Sequence, residues 1–265
     1  MSRGLGDVYK RQVPDSTEIR VDKVTGTLIR AGVPSIINPD DLAGVEEALK
    51  IKEATGAHVT VISMGPPQAS GMLKELYGRG VDECILITDR AFAGADTCAT
   101  SSTLAAAIEK VGYDLIIGGR QAIDGDTAQV GPQTAERLDI PQVTYVDKIM
   151  EVNDKSVTVR KSLEDTEEII EAKLPCLLTT LSGMNTPRYM NCNDIVDSFS
   201  KEVKIMTFAD LDIPAEKVGL AGSPTKVHHT FTKDVTAETE TYDMPAADAA
   251  KLIAKTLKEK QIITK

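Results

Sequence analysis

Residues Asp114–Gln142 read DLIIGGRQAIDGDTAQVGPQTAERLDIPQ, and the rest of the chain is arranged around them. The run Leu115-Ile116-Ile117, closed by Gly118-Gly119, suits a parallel strand buried on both faces that stops at the carboxyl edge of a sheet. Gln121, Asp124, Gly125, Asp126 and Thr127 follow as a loop of small and polar residues. Ala128–Leu138 then carries helix-compatible spacing, with Pro132 tolerable only in a first turn. Strand, loop and helix in that order aim backbone N–H groups and the positive end of a helix past the sheet edge, where an anion is the natural occupant. By itself the pattern leaves a purely structural loop open, because neither the dinucleotide glycine fingerprint nor a phosphate-loop lysine is present.

Moving upstream, Cys84–Thr88 reads as another strand, followed by the loop Asp89–Thr97. There Gly94, Asp96, Thr97 and Thr100 place hydroxyls and N–H groups at the start of a helix running through Leu104 and Ile108. Arg90 in this loop suits either a phosphate or a surface salt bridge. Val59–Ile62 is a further strand, turned by Ser63-Met64-Gly65-Pro66-Pro67 into a helix through Leu76. Gly65 serves a tight turn or a close ligand approach equally well. Asn38-Pro39-Asp40 starts a helix whose Leu42, Val45, Ala48, Leu49 and Ile51 recur at helical spacing until Gly56. With Gln142–Val146 as the strand after the organising helix, the alternation predicts an α/β fold, a doubly wound, Rossmann-like parallel sheet.

Beyond Asp147 the pattern turns antiparallel, with β segments at Ser156–Ser162 and Glu167–Ala172, and Cys176–Leu181 as a last buried strand. Asn193 caps a short helix through Phe199, and Ala209–Ile213 and Pro214–Gly222 read as irregular. Thr225–Tyr242 reads as an arm that needs another surface, and Ala246–Lys260 as a helix with Ala249, Leu252, Ile253 and Leu257 on one face. Near the other end, Ile19–Asp22 and Thr27–Arg30 suggest a hairpin. Residues 1–11, MSRGLGDVYKR, lack the Val/Ile/Leu run that a central strand calls for and read as an atypical leader, either foreign or a wrongly read start. The expected organisation is this leader, a nucleotide-binding domain over 12–224 and a C-terminal arm and helix over 225–265.

The 265 residues can bury a core, and 42% apolar with 26% charged residues is ordinary for a soluble protein. A net charge of −10, with no basic stripe interleaved with aromatics, argues against nucleic acid. No run has the length of a membrane span and no basic-then-apolar leader opens the chain, so a cytoplasmic address is expected. Cys84, Cys98, Cys176 and Cys192 are scattered without a CxxC pair, which disfavours zinc or iron–sulfur ligation, and Cys84 and Cys176 fit buried small hydrophobes. His228-His229 is most simply a solvated pair. No Ser–His–Asp or Cys–His arrangement sits on the loops. Asp124 and Asp126 suit caps or ribose partners better than a catalytic pair. The crevice therefore reads as a binding site.

The wording of GGRQAIDGDTAQVGPQTAERLDIPQ closely resembles the motif of the electron-transfer flavoprotein beta subunit. The resemblance extends to QVPD at Gln12–Asp15, INPDD at Ile37–Asp41, SMGPPQA at Ser63–Ala69, DRAFAGADTCATS at Asp89–Ser101, NTPRYM at Asn185–Met190 and GSPTKV at Gly222–Val227. It implies a crevice holding the adenylate part of a nucleotide. Ala128, Gln129, Val130 and Gly131 would supply N–H groups to phosphate, and Asp126 a polar contact. The implied cofactor set further includes Val13, Asp41, Ser63, Met64, Gly65, Arg90, Phe92, Gly94, Asp96, Thr97, Thr100, Gly119, Gln121 and Thr127. The occupant is AMP in the conventional branch and FAD in the flavin-bifurcating branch, which the DRAFAGADT loop resembles. That branch implies a partner alpha subunit carrying another FAD, NADH as electron donor, and ferredoxin or flavodoxin together with an acyl-CoA dehydrogenase as acceptors. The resemblance also places Asn185–Met190 just before a dehydrogenase-docking loop, so charge reversal at Arg188 is expected to slow electron transfer without loss of flavin. Two rivals stand beside this reading: a stand-alone adenine-nucleotide-binding module, and an assembly subunit with an empty crevice.

Overall fold

A computed structural model describes residues 4–10, 12–14, 35–123, 125–226 and 241–263, with side chains from residue 36 onward. The hairpin expected at Ile19–Arg30, Asp124, His228-His229 and most of the arm lie outside the described residues. Strands β1 (Gly4–Lys10), β4 (His58–Met64), β5 (Glu83–Ile87), β6 (Leu115–Gly119), β7 (Gln142–Val152), β8 (Ser156–Ser162), β9 (Glu167–Lys173), β10 (Cys176–Thr180) and β11 (Lys204–Met206) form one sheet. Its order is β11-β5-β4-β1-β6-β10-β7-β8-β9. Pairing is parallel from β11 to β7 and antiparallel from β7 to β9. Short strands β2 (Gln12–Pro14) and β3 (Ser35–Ile37) pair antiparallel by themselves.

Helices cover both faces. α1 (Pro39–Thr55) and α2 (Ala69–Tyr77) pack on one, α3 (Thr97–Val111) and α4 (Val130–Arg137) on the other. β4, β6 and β10 carry apolar side chains on both faces because alternate residues feed opposite cores: Val61, Ile117 and Leu178 reach the first, and Ile62, Ile116 and Leu177 the second. Cys84 and Cys176 are buried in the first core, where burial pushes the Cys176 thiol up to about 11. α1 starts at Pro39 and stops at Gly56, whose φ of 73° is the left-handed cap conformation, its N–H donating to Lys52 O at 2.8 Å.

Three features depart from the expectations. Gly4–Lys10 forms the strand between β4 and β6, pairing with β4 through a register that shifts between Leu5 and Val8 and with β6 at Val8 and Tyr9. A gap between two buried parallel strands exposes unpaired backbone donors and acceptors, and this segment satisfies them despite its poor side-chain pattern. β7 runs on to Val152, far past Val146, while β10, buried as expected for Cys176–Leu181, lies between β6 and β7. β11, in a stretch with no strand signal, extends the far edge beside β5.

By contact the chain divides into residues 1–228 and 229–265. α5 (Cys192–Ser198) belongs to the first unit, and the second contains α6 (Ala246–Glu259), which has Asp248–Lys251 and Lys255–Glu259 pairs along its surface and buries no residue. No helix among the described residues is long and apolar enough to cross a membrane.

Candidate functional site

The connection reverses direction between β1 and β6: the chain winds outward through β4 and β5 on one side and through β6 on the other, which opens a crevice at the carboxyl ends of these strands. The floor is set where β6 meets the start of α1. Asp41, 2% exposed, accepts from Gly119 N at 2.7 Å through Oδ1 and from Asn38 Nδ2 at 2.8 Å through Oδ2. Asn38 Nδ2 also donates to Gln121 O at 2.9 Å, while its buried Oδ1 has no partner among the described residues. A shallow cleft, open to solvent, lies here, lined by Asp41, Gly119, Arg120, Gln121, Ala122, Thr127, Ala128, Val130 and Gly131. Arg120 lies 3.6 Å from Asp40 and 5.8 Å from the centre of the Tyr145 ring.

The loop is held in an unusual shape. Asp126 and Ala128 have φ of 47° and 52°, sparsely populated for residues other than glycine. Asp126 N donates to Ala122 O at 2.9 Å, and the Gln121 amide donates to the Asp126 carboxylate. α4 then starts with no side-chain cap on its first turn, where Pro132 has no N–H to offer. The positive end of this helix is thus left to the cleft.

The second loop is arranged differently. Asp96 caps α3, accepting from Ala99 N at 3.0 Å, and its other oxygen takes Thr225 N at 2.9 Å and Thr225 Oγ1 at 2.7 Å. Burial opposes ionisation, but these donors outweigh it and hold the carboxyl below its ordinary value. Asp89 is likewise held low by donation from Ala91 N and Phe208 N. Phe92 is buried edge-on against Phe208, with centroids 6.3 Å apart. Gly94 has φ of 72°, and a side chain there would point at Leu220. Thr97 Oγ1 donates to Gln129 Oε1 at 3.0 Å, joining the two loops, and Thr100 N bonds Asp96 O at 2.9 Å. Arg90 is exposed on a single 3-10 turn and makes no ion pair among the described residues.

Of the residues expected at the site, the cleft lining brings together Asp41, Gly119, Gln121, Thr127, Ala128, Val130 and Gly131. Asp126 and Gln129 support that loop. Ser63, Met64 and Gly65 end β4, with Gly65 N bonded to Ile87 O at 3.1 Å, and Val13 pairs with Ile36 in β2. Ser63, Met64 and Gly65, with Arg90, Phe92, Gly94, Asp96, Thr97 and Thr100, lie outside the lining. A family model described as an electron transfer flavoprotein domain matches residues 25–211.

The chain belongs to the electron transfer flavoprotein family.

It is similar to the electron transfer flavoprotein subunit beta of Clostridium acetobutylicum, 55% identical over 256 residues that cover 97% of this chain and 98% of that one. The subunit beta of Thermoanaerobacterium thermosaccharolyticum is 52% identical over 257 residues, with the same coverage of 97% and 98%. The caffeyl-CoA reductase-Etf complex subunit CarD of Acetobacterium woodii is 49% identical over 260 residues, again covering 97% and 98%. In this electron transfer flavoprotein chain, sequence reasoning did not single out Asn38, Arg120, Ala122, Ser223 or Thr225. Arg120 directly follows Gly118-Gly119, and that position at a strand end was the available signal. Asn38 read as a helix start, and its part in holding Gln121 needed the fold.

Arg188 of the same flavoprotein chain is an anchor. Its guanidinium bonds Glu46, which is 7% exposed, at 3.0 Å from Nε and from Nη2, and reaches Glu53 at 2.5 Å. Asn185 Nδ2 donates to Ala43 O and Glu47 Oε1, both at 2.9 Å. Loop 182–191 is thereby fastened to α1, so charge reversal at Arg188 tests that attachment before it tests docking.

Proposed function

We propose that this chain is the nucleotide-binding beta subunit of a two-subunit electron transfer flavoprotein, working with an alpha subunit that carries one FAD. The observation that carries the reading is the uncapped start of α4, opening with its strained loop onto a cleft at the topological switch point. Main-chain N–H groups at the start of α4 would hold a phosphate of the adenylate, with Thr127 and Gln121 beside it. The guanidinium of Arg90, exposed and in no ion pair among the described residues, would meet a further phosphate. In the assembled protein the crevice nucleotide is FAD, which supplies the redox chemistry when bound, with NADH as donor and with ferredoxin or flavodoxin and an acyl-CoA dehydrogenase as acceptors. The similarity to a subunit named for a caffeyl-CoA reductase-Etf complex supports a CoA-linked acceptor. The chain's own part is to bind, orient and shield the nucleotide.

One observation favours the conventional AMP-binding alternative. The start of α3, the second place where donors for another phosphate were expected, is already occupied by the Asp96 carboxylate. Counting nucleotides released by heat from the co-purified alpha–beta pair separates the readings. Two FAD per pair is the expected result. One FAD plus one AMP, with no uptake of added FAD, selects the conventional carrier, and no nucleotide beyond the alpha-subunit FAD rejects both.

A further inference from the structure

The segment from Thr207 to Thr225 grips the loop Asp89–Thr97 along its whole length. Phe208 N donates to Asp89 Oδ2 at 3.1 Å, and Leu220 N to Ala93 O at 3.0 Å. Gly219, with φ of 55°, lies so close to the loop that a Cβ would collide with the Ala91 carbonyl oxygen. Ser223, 6% exposed, accepts from Asp96 N at 2.8 Å and donates to Gly219 O at 2.7 Å. Thr225 places both its N–H and its hydroxyl on Asp96 Oδ2.

Asp96 is therefore a junction. One carboxylate oxygen sets the first turn of α3, and the other holds the last described residues before the chain runs on toward its C-terminal unit. From α3 the connection continues through Thr97 Oγ1 to Gln129 Oε1, at the residue that precedes α4 and its open N-terminus. Side-chain bonds from Thr225 to Asp96 and from Thr97 to Gln129, joined by the main chain between Asp96 and Thr97, thus link the root of the C-terminal segment to the residue between the cleft-lining Ala128 and Val130. The acceptor at Thr225 is a carboxylate, so each of its two bonds is of the stronger, charge-assisted kind.

We propose that Thr225 is a positioning residue for the nucleotide crevice, coupling the root of the C-terminal segment to the loop before α4 through Asp96, Thr97 and Gln129. This rests on the nucleotide reading of the crevice. Coupling of this kind is reciprocal: whatever holds Thr225 in place favours nucleotide, and nucleotide must hold Thr225 in place by the same factor. Lys226, exposed and next in the chain, gives a direct readout as a trypsin site.

The test uses the full-length chain in complex with its alpha subunit, stripped of crevice nucleotide, with AMP as probe. Thr225→Val keeps the shape and removes the hydroxyl, while Thr225→Ser restores it. Thr225→Val should weaken AMP binding roughly tenfold, the loss expected for one hydrogen bond to a charged acceptor. AMP should slow cleavage after Lys226 in the natural protein and in Thr225→Ser, and lose that protection in Thr225→Val. Unchanged AMP affinity in Thr225→Val, or cleavage indifferent to AMP in the natural protein, overturns the coupling. Because Thr225 is exposed, a folding defect is read separately from the melting temperature without nucleotide, and loss of affinity that Thr225→Ser fails to rescue also overturns it. A natural complex that takes up neither AMP nor FAD defeats the nucleotide reading itself, a result distinct from either failure of coupling.

Discussion

A methyl group at Gly119 would lie 2.7 Å from Asp41 N and 2.8 Å from Asp41 Oδ1, and one at Gly131 would lie 2.8 Å from Thr179 Cγ2. Both glycines serve the close approach of helix to strand, whether or not a ligand is present. Gly119→Ala should cost about 2 kcal/mol of stability, the usual penalty for overpacking, seen as a lower denaturant midpoint with unchanged slope. Asp96 bears on pH. Its carboxyl is held below the ordinary 3.8 in the folded chain, so its contribution is present above that pH and lost as the pH falls through the lower folded-state value. Asp96→Asn should flatten the acid limb of stability, measured by thermal melts from about pH 5 to about pH 2.5. Arg188→Glu would leave Glu46, buried in α1, facing a like charge, and should cost about 3 kcal/mol in denaturant unfolding. Adding Glu46→Arg should recover part of that loss, whereas a docking role alone would leave stability untouched.

Among the elements, α3 and α4 look alike as helix starts after a strand and a polar loop, yet only α3 carries its own carboxylate cap. The difference lies in the residue before each helix, Asp96 against Gln129, and Thr225 occupies the other oxygen of Asp96 from 129 residues away in the chain. An added negative charge beside the open start of α4 should therefore repel a phosphate: Thr127→Asp is expected to weaken AMP binding at least about tenfold at low salt, with the difference shrinking as salt is raised. Equal affinities in a titration would show that the anion does not sit there. β1 raises the opposite case, an element formed against its own pattern. Strand formation at Gly4–Lys10 is imposed by β4 and β6 on its two sides, and glycines there weaken it. Replacing Gly6 and Asp7 with Val should raise the melting temperature, corresponding to about 2 kcal/mol or more of added burial, and an unchanged melting curve would count against strand β1.

At the scale of the whole molecule, both hydrophobic cores are built from residues before 228, and α6 buries none of its own. Ending the chain after residue 228 should therefore leave the melting temperature of the isolated subunit within about 4 °C of the full chain, the shift of roughly 1 kcal/mol. Loss of co-purification with the alpha subunit would show that the C-terminal segment acts on the partner. The sequence alone determined the alternation of buried strands and amphipathic helices from Val59 to Val146, because a parallel sheet covered on both faces forces continuous apolar runs, ended by glycines and polar caps. It also located the organising loop, since free N–H groups at a helix start follow from local chain order. Only the tertiary structure decided that β10 lies between β6 and β7, that β11 closes the far edge, and that Asp96 and Arg188 are bound to distant partners. Strand order and long-range hydrogen bonds depend on which surfaces meet after the chain has folded, and residues separated by 129 positions, as Asp96 and Thr225 are, leave no local pattern that records their pairing.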